Sequence, residues 1–332
     1  MFSSKSFLHF FIFYLTTPLT LLKTFHFNDI FTLTRASLFF AIIDAIFSIF
    51  FKLCGLTSIT VDIDDQTTLH FWVSRHRKFK NPNLVMIHGY GGDARWQFLY
   101  QIGFLATKFN IYMPDLVFFG KSYSNRTDRT DEFQAKCVVE GLRRLGAGKY
   151  SAYSLSYGGY VAYRMAEICG KDEMEKLVIV GSGVGWNNED EKREMLMKIG
   201  RDAKELLVPD NPRDLRLLVK LGVFRRKPLR WVPDFVLQEF LNAMGNHHRK
   251  EKMELVEYLL ATKPDSQLAI LTQETLVIWG DQDNVFPVCL AYQLQRHLGL
   301  KSRVEIIKDT GHAVNIESPR ALNRLITSFL LL

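Results

Sequence analysis

Cysteine is scarce in this 332-residue chain, which has only four: Cys54, Cys137, Cys169 and Cys289. None belongs to a CxxC pair or lies near a histidine at metal-ligand spacing, which argues against a zinc site and a disulfide framework alike. Lone thiols suit a reducing compartment, and nothing in the residue pattern calls for a metal or any other cofactor. Low-complexity tracts and repeats of fixed period are missing too. With 47% hydrophobic and 23% charged residues, the composition is that of a globular protein. The net charge is +7, but basic and acidic residues interleave along the chain. There is therefore no basic face with spaced aromatics, and nucleic acid is not expected as a partner.

Long uninterrupted apolar runs are also lacking, although residues 1–57 are crowded with Phe, Leu and Ile. The run from Phe7 to Leu22 is only about 16 residues, short of the roughly 20 that span hydrocarbon, and Pro18 interrupts it. The second run, Leu38 to Phe51, carries Asp44 near its centre. On a helix Ser37, Asp44 and Ser48 share one stripe among Phe and Ile residues. That pattern predicts a helix lying in a membrane interface or covering the globular domain, in preference to one crossing the bilayer. A secretory signal is the rival reading, since Lys5 precedes the first run. No small-x-small cleavage pattern follows, and the unpaired cysteines argue against export. Residues 1–57 are expected to associate with an intracellular membrane, the endoplasmic reticulum being one candidate, with a cytoplasmic location the alternative.

From Ser58 onward, short β-rich runs alternate with helical patterns. Ile59 to Asp62 and Thr68 to Val73 flank a polar turn at Asp64 to Gln66 and read as an antiparallel pair. Strands follow at Asn83 to His88, Asn110 to Met113, Tyr150 to Leu155 and Lys176 to Val180. Helices are predicted over Phe98 to Lys108, Glu132 to Leu145 and Gly159 to Cys169. Strands separated by such helices form a mostly parallel sheet, because parallel neighbours need a crossover. Residues 187–268 then show helical patterns and no strand. Strand character resumes at Thr275 to Trp279 and Arg303 to Ile307, with helices over Pro287 to Leu298 and Ala321 to Leu332. The count is eight strands in an α/β class. An all-helical block between two strands of one sheet reads as an inserted cap, so the core comprises residues 58–186 and 269–332.

Four short motifs fall at strand ends. Ser154-Leu155-Ser156-Tyr157-Gly158-Gly159 joins a buried strand to a helix, where a serine on a sharp turn is exposed at the carboxyl edge of the sheet. The positions two before and two after it must be small. Gly158 meets that demand, and Ser154 stands where glycine is usual. His88-Gly89-Tyr90-Gly91-Gly92 is a glycine-rich loop whose backbone amides can be aimed at a developing oxyanion. The candidate donors are the amides of Tyr90 and Tyr157, the alternative being a tight turn around a satisfied histidine. Trp279 to Asp283 ends another strand; Asp283 is the candidate partner for an imidazole, and Asp281 competes with it. His312, preceded by Gly311 and following the last strand, is the candidate base. The basic cluster Arg225, Arg226, Lys227 and Arg230 beside Leu229 and Trp231 reads as a solvated turn or as a contact for anionic lipid headgroups.

From about residue 58 to the C-terminus these motifs together resemble the α/β-hydrolase fold of the capped type. The resemblance rests on His88-Gly89, Asp115 with Gly120-Lys121-Ser122, the Ser156 turn, Trp279 to Asp283, and Gly311-His312, with Ser156, Asp283 and His312 in the chain order of that fold. The block Met113 to Ser122 is similar to one in plant members likened to monoacylglycerol lipases, with Phe118 where glycine is common. The resemblance implies a serine hydrolase acting on a hydrophobic carboxylic ester: a monoacylglycerol, another acyl ester or a small aromatic ester. It also admits a C–C bond hydrolase with the same three residues, or a small-molecule receptor on a hydrolase scaffold. Epoxide hydrolases and dehalogenases use aspartate as nucleophile, and Ser156 argues against both.

Overall fold

The computed structural model describes residues 29–186, 202–225, 229–244, 247–261 and 268–332. The apolar run from Phe7 to Leu22 and the basic residues Arg226 and Lys227 lie outside the described residues.

The sheet begins with a hairpin. Strands β1 (Leu56–Asp62) and β2 (Thr67–Ser74) pair antiparallel, and the Gln66 amide closes the turn onto Asp64 Oδ1 at 2.8 Å. There follow β3 (Asn83–Ile87), helix α2 (Ala94–Leu105), β4 (Asn110–Pro114), β5 (Tyr123–Ser124), α3 (Asp131–Arg144), β6 (Tyr150–Leu155), α4 (Tyr157–Glu173) and β7 (Met174–Val180). Four described helices precede the next strand: α5 (Ala203–Leu207), α6 (Pro212–Gly222), α7 (Asp234–Met244) and α8 (Arg249–Ala261). The core resumes with β8 (Glu274–Gly280), α9 (Cys289–Leu298), β9 (Ser302–Ile307), α10 (Val314–Glu317) and α11 (Pro319–Leu330).

The nine strands lie in the order β1-β2-β4-β3-β6-β7-β8-β9, with β5 on β2. The strand beyond the eight read from the sequence is β5. Its two residues are too few to show a periodic pattern. From β4 through β3, β6, β7 and β8 to β9 every neighbour is parallel, so the carboxyl ends of these strands share one rim. The chain moves from β3 to β4 on one side and then to β6 on the other. That reversal opens a crevice at the rim beside β3 and β6, the place where open α/β sheets bind ligands.

Both faces of the sheet are covered, which is why the central strands read as continuous apolar runs. Val85, Ile87, Ala152, Ile179 and Trp279 face the layer of α3, α4 and α9. Leu84, Met86, Tyr153, Val178 and Ile278 face the layer that includes α2 and α11.

A further helix, α1 (Asp29–Leu53), precedes β1 and lies on that second layer. Phe51 packs edge-on to Trp72 at 5.5 Å, and Phe47 to Trp96 at 4.7 Å. The polar stripe of this helix faces the domain: Asp44 pairs with Arg95 at 2.6 Å, and Ser48 accepts from the same guanidinium at 2.6 Å. Ile42, Ile46, Ile49 and Leu53 are exposed on the opposite side. Of the two placements expected for this helix, the one covering the domain is observed. Among the described residues no helix is long and apolar enough to cross a membrane.

Candidate active site

Ser156 sits between β6 and α4 with φ 52° and ψ −118°, a backbone conformation that L-residues avoid. The turn is held open by its surroundings. The Ser156 amide donates to Val180 O at 2.8 Å, and Gly159 N donates to Ser156 O at 2.9 Å. A side chain at Gly158 would put its Cβ 2.5 Å from His88 O and 2.6 Å from Ile87 O, so this position must be glycine. Ser154, where glycine was expected, is fully buried. Its hydroxyl is satisfied by donating to Val178 O at 3.0 Å, which explains how a polar side chain fits.

His312 Nε2 lies 2.9 Å from Ser156 Oγ, and His312 Nδ1 lies 2.9 Å from Asp283 Oδ2. The other oxygen of Asp283 accepts from the amides of Val285 and Phe286, each at 2.8 Å, so the carboxylate is fixed with one oxygen facing the ring. Because a carboxylate only accepts, Nδ1 carries the ring proton and Nε2 is left basic towards the hydroxyl. The Asp283 side chain is fully buried, whereas His312 keeps 15% of its surface exposed on the rim. A hydroxyl in this position can pass its proton to the ring as its oxygen attacks an electrophilic carbon. Asp281, the competing acid, instead accepts from the Thr310 amide at 3.2 Å and braces the loop that carries His312.

The glycine-rich loop after β3 is held from beneath. His88 is fully buried, and its Nε2 accepts from the Leu116 amide at 2.9 Å. Nδ1 therefore bears the proton, donated to Gly89 O at 2.7 Å. Burial keeps this imidazole below its ordinary pKa, although Asp115 pulls the other way. His88 is thus the satisfied histidine of the alternative reading, and it supports the loop. Gln97, unnoticed in the sequence, clamps the same loop: its Oε1 accepts from Gly89 N at 2.7 Å and its Nε2 donates to Gly89 O at 2.9 Å. Among the described residues nothing accepts from the amides of Tyr90 or Tyr157. The Tyr90 ring meets Phe119 and Tyr157 edge-on, and its hydroxyl donates to Lys252 O of α8 at 2.6 Å.

Asp115 belongs to a separate buried brace. It accepts from His70 Nδ1 at 2.8 Å, from Ala94 N at 3.1 Å and from Lys121 N at 3.2 Å. Burial works against this carboxylate, but the hydrogen bond and charge of His70 hold its pKa below the ordinary value. Ser58 Oγ lies 2.7 Å from His70 Nε2, completing a second serine–histidine–aspartate chain. Ser58, however, lies inside the regular ladder of β1 and β2, with no turn to present its hydroxyl. Phe118 takes φ 74° where a glycine is common. Its ring is buried beneath the Arg129 guanidinium at 4.5 Å and faces His248 at 5.9 Å, packing that offsets the strain of the backbone. A surface cleft of about 620 Å³ beside Asp64, Arg126 and Cys137 is lined by none of these site residues.

A family model for the alpha/beta hydrolase fold matches residues 82–319. The chain belongs to the α/β-hydrolase family. Monoacylglycerol lipase ABHD6 of Bos taurus is 24% identical over 265 residues, covering 77% of each protein. A 2-hydroxy-6-oxononadienedioate/2-hydroxy-6-oxononatrienedioate hydrolase of a Pseudomonas species is 25% identical, covering 74% of this chain and 87% of the relative. Among solved structures, a bacterial membrane phospholipase A superposes with a TM-score of 0.73 at 21% identity, covering 98% of both chains. The α/β-hydrolase assignment accounts for the sheet order, for the inserted helices and for the lipase-like relatives of this hydrolase. It agrees with the fold expected from the motifs.

Proposed function

We propose that the chain is a serine hydrolase cleaving a carboxylic ester of a hydrophobic substrate through an acyl-enzyme. The observation that carries this reading is the continuous chain from Ser156 Oγ through the His312 ring to Asp283 Oδ2. In the proposed reaction His312 Nε2 takes the Ser156 proton while Oγ attacks the ester carbonyl. The tetrahedral oxyanion is stabilised by the Tyr90 and Tyr157 amides. As it collapses, the imidazolium returns the proton to the departing alcohol, and Asp283 stabilises the charged ring throughout. His312 then draws a proton from water, whose oxygen attacks the acyl carbon. The second collapse re-protonates Ser156 and frees the carboxylic acid.

The apolar character of the substrate is supported by the rings at the site, with Phe286 5.5 Å from His312 and Trp186 6.1 Å from Phe286. A monoacylglycerol, another acyl ester or a small aromatic ester fits such walls. The relative that is a C–C bond hydrolase supports a second reading, because that chemistry draws on the same three residues.

Membrane association is part of the proposal. It is supported by the exposed apolar stripe of α1, by the apolar residues that precede it in sequence, and by the membrane phospholipase among the structural relatives. A fluorophosphonate probe tests the nucleophile: it should label the wild type and not Ser156→Ala, and equal labelling of both would overturn the assignment. Esters of p-nitrophenol with graded acyl length, run beside a vinylogous diketone, separate ester from C–C cleavage. Retention on sedimented phosphatidylcholine vesicles tests the membrane contact.

A further inference from the structure

His312 is held between two links to the cap. The residue after it, Ala313, donates its amide to Gly222 O, the last residue of α6, at 2.7 Å. The residue before it, Gly311, donates to Glu317 Oε2 at 2.7 Å. That same carboxylate accepts from two further main-chain amides of the cap, Phe224 on Oε2 at 3.0 Å and Arg225 on Oε1 at 2.7 Å. The two chain segments press together closely. A Cβ built on Gly311 would lie 2.9 Å from Glu317 Oε2, 2.9 Å from Phe224 N and 3.0 Å from Gly222 O. The glycine before the histidine is therefore required by the cap segment lying over it.

On the serine hydrolase reading given above, we propose that Glu317 is a positioning residue that transmits the place of the cap to His312. One carboxylate satisfies amides on both sides of the seam, so withdrawal of the cap segment 222–225 strips Glu317 of two of its three contacts and takes Gly222 O away from the Ala313 amide beside His312. The register of the imidazole against Ser156 then depends on the cap being seated. Substrate entering between cap and core and alignment of the base become one coupled event. Charge-assisted hydrogen bonds to main-chain amides suit this role, because they fix geometry without depending on the side chains of Phe224 or Arg225.

The test uses the full chain and two readouts, the rate of fluorophosphonate labelling at Ser156 and hydrogen exchange at residues 222–225. In Glu317→Gln only one side-chain oxygen remains, and the amide NH2 faces a main-chain donor. In Glu317→Ala all three acceptor contacts are lost. A misplacement of order 1 Å costs about a hundredfold in rate. Labelling is therefore expected to slow about tenfold in the Gln variant and about a hundredfold in the Ala variant, with faster exchange at residues 222–225 in both. The control Lys220→Ala changes an exposed side chain of α6 away from the seam and should label like the wild type. If Glu317→Ala does not fold, Glu317→Gln alone decides. Wild-type labelling rates in a folded Gln variant whose cap exchanges faster would overturn the proposal, since Glu317 would then only pin the cap. Absence of labelling in the wild type would instead remove the hydrolase reading, and this inference with it.

Discussion

The Arg95 guanidinium reaches across the seam between α1 and α2 to hold the Asp44 carboxylate at 2.6 Å, and it grips Asp93 at 2.9 Å on its other side. Asp93 is buried and caps α2, accepting from the Trp96 amide. Burial raises its pKa, the nearby Asp115 adds to that, and Arg95 opposes both. Arg95→Met removes the cation and leaves Asp93 unpaired in the interior, at an expected cost of about 3–5 kcal/mol. The Asp44 side chain is 41% exposed, so Asp44→Asn should cost under about 1 kcal/mol. Urea denaturation compares the two, and similar midpoints for both variants would contradict the account.

Asp283 and Asp281 lie two positions apart but meet different partners. Asp283→Asn is expected to lower kcat about 10³–10⁴-fold, because the ring loses the partner that fixes its tautomer. Among the described residues the Asp281 side chain accepts only from the Thr310 amide, and for Asp281→Asn a loss within about tenfold is expected. Steady-state kinetics on one p-nitrophenyl ester checks the order, which would be wrong if the two losses were reversed.

Lys252 lies in α8 with its ammonium 5.5 Å over the Phe119 ring. Burial pulls its pKa down to about 8, with Glu251 opposing. In the unfolded chain a lysine titrates near 10.4. Between these values the unfolded state binds more protons than the folded one, so this residue makes stability rise with pH across that window. Lys252→Met should therefore raise Tm at pH 7, and the gain should shrink as pH climbs from 8 towards 10. A gain that grows with pH would rule this out.

The thiols differ in reach. Cys137 is buried with its pKa pushed up to about 12, and burial takes Cys54 and Cys169 each to about 11. Cys289 is exposed. A disulfide reagent at pH 8 should modify one thiol quickly in the native protein, and Cys289→Ser should abolish that phase. Two fast equivalents in the wild type would refute the assignment.

Much of the site was readable because its residues follow strand ends, and the strands before Tyr90, Ser156 and Asp283 are buried along almost their whole length. Tyr150 to Leu155 is observed with the limits read from the sequence, since its side chains are buried throughout and Ser156 ends it abruptly. The helix expected to begin at Phe98 starts at Ala94. Its cap, Asp93, is hidden behind two glycines, where the local pattern still reads as loop. Asp44 was noticed as polar on an apolar helix, but its partner Arg95 lies far along the chain, and spacing cannot reveal such a pairing. His70 interrupts the apolar run of β2, and a polar residue inside such a run signals a buried partner, here Asp115. Gln97 and Glu317 left no signal: both act on main-chain amides or carbonyls, which every residue possesses, so only the folded chain identifies them.

With Phe40 against Phe240 of α7 at 5.6 Å and Phe51 against Trp72 of β2, the first described helix is a wall shared by both halves of the molecule. Trimming the chain at residue 57 to ease handling would bare two greasy seams at once, and a trimmed enzyme would report on that damage. Polar replacements at Ile42, Ile46, Ile49 and Leu53 would improve behaviour in water while leaving the inner side of the wall in place.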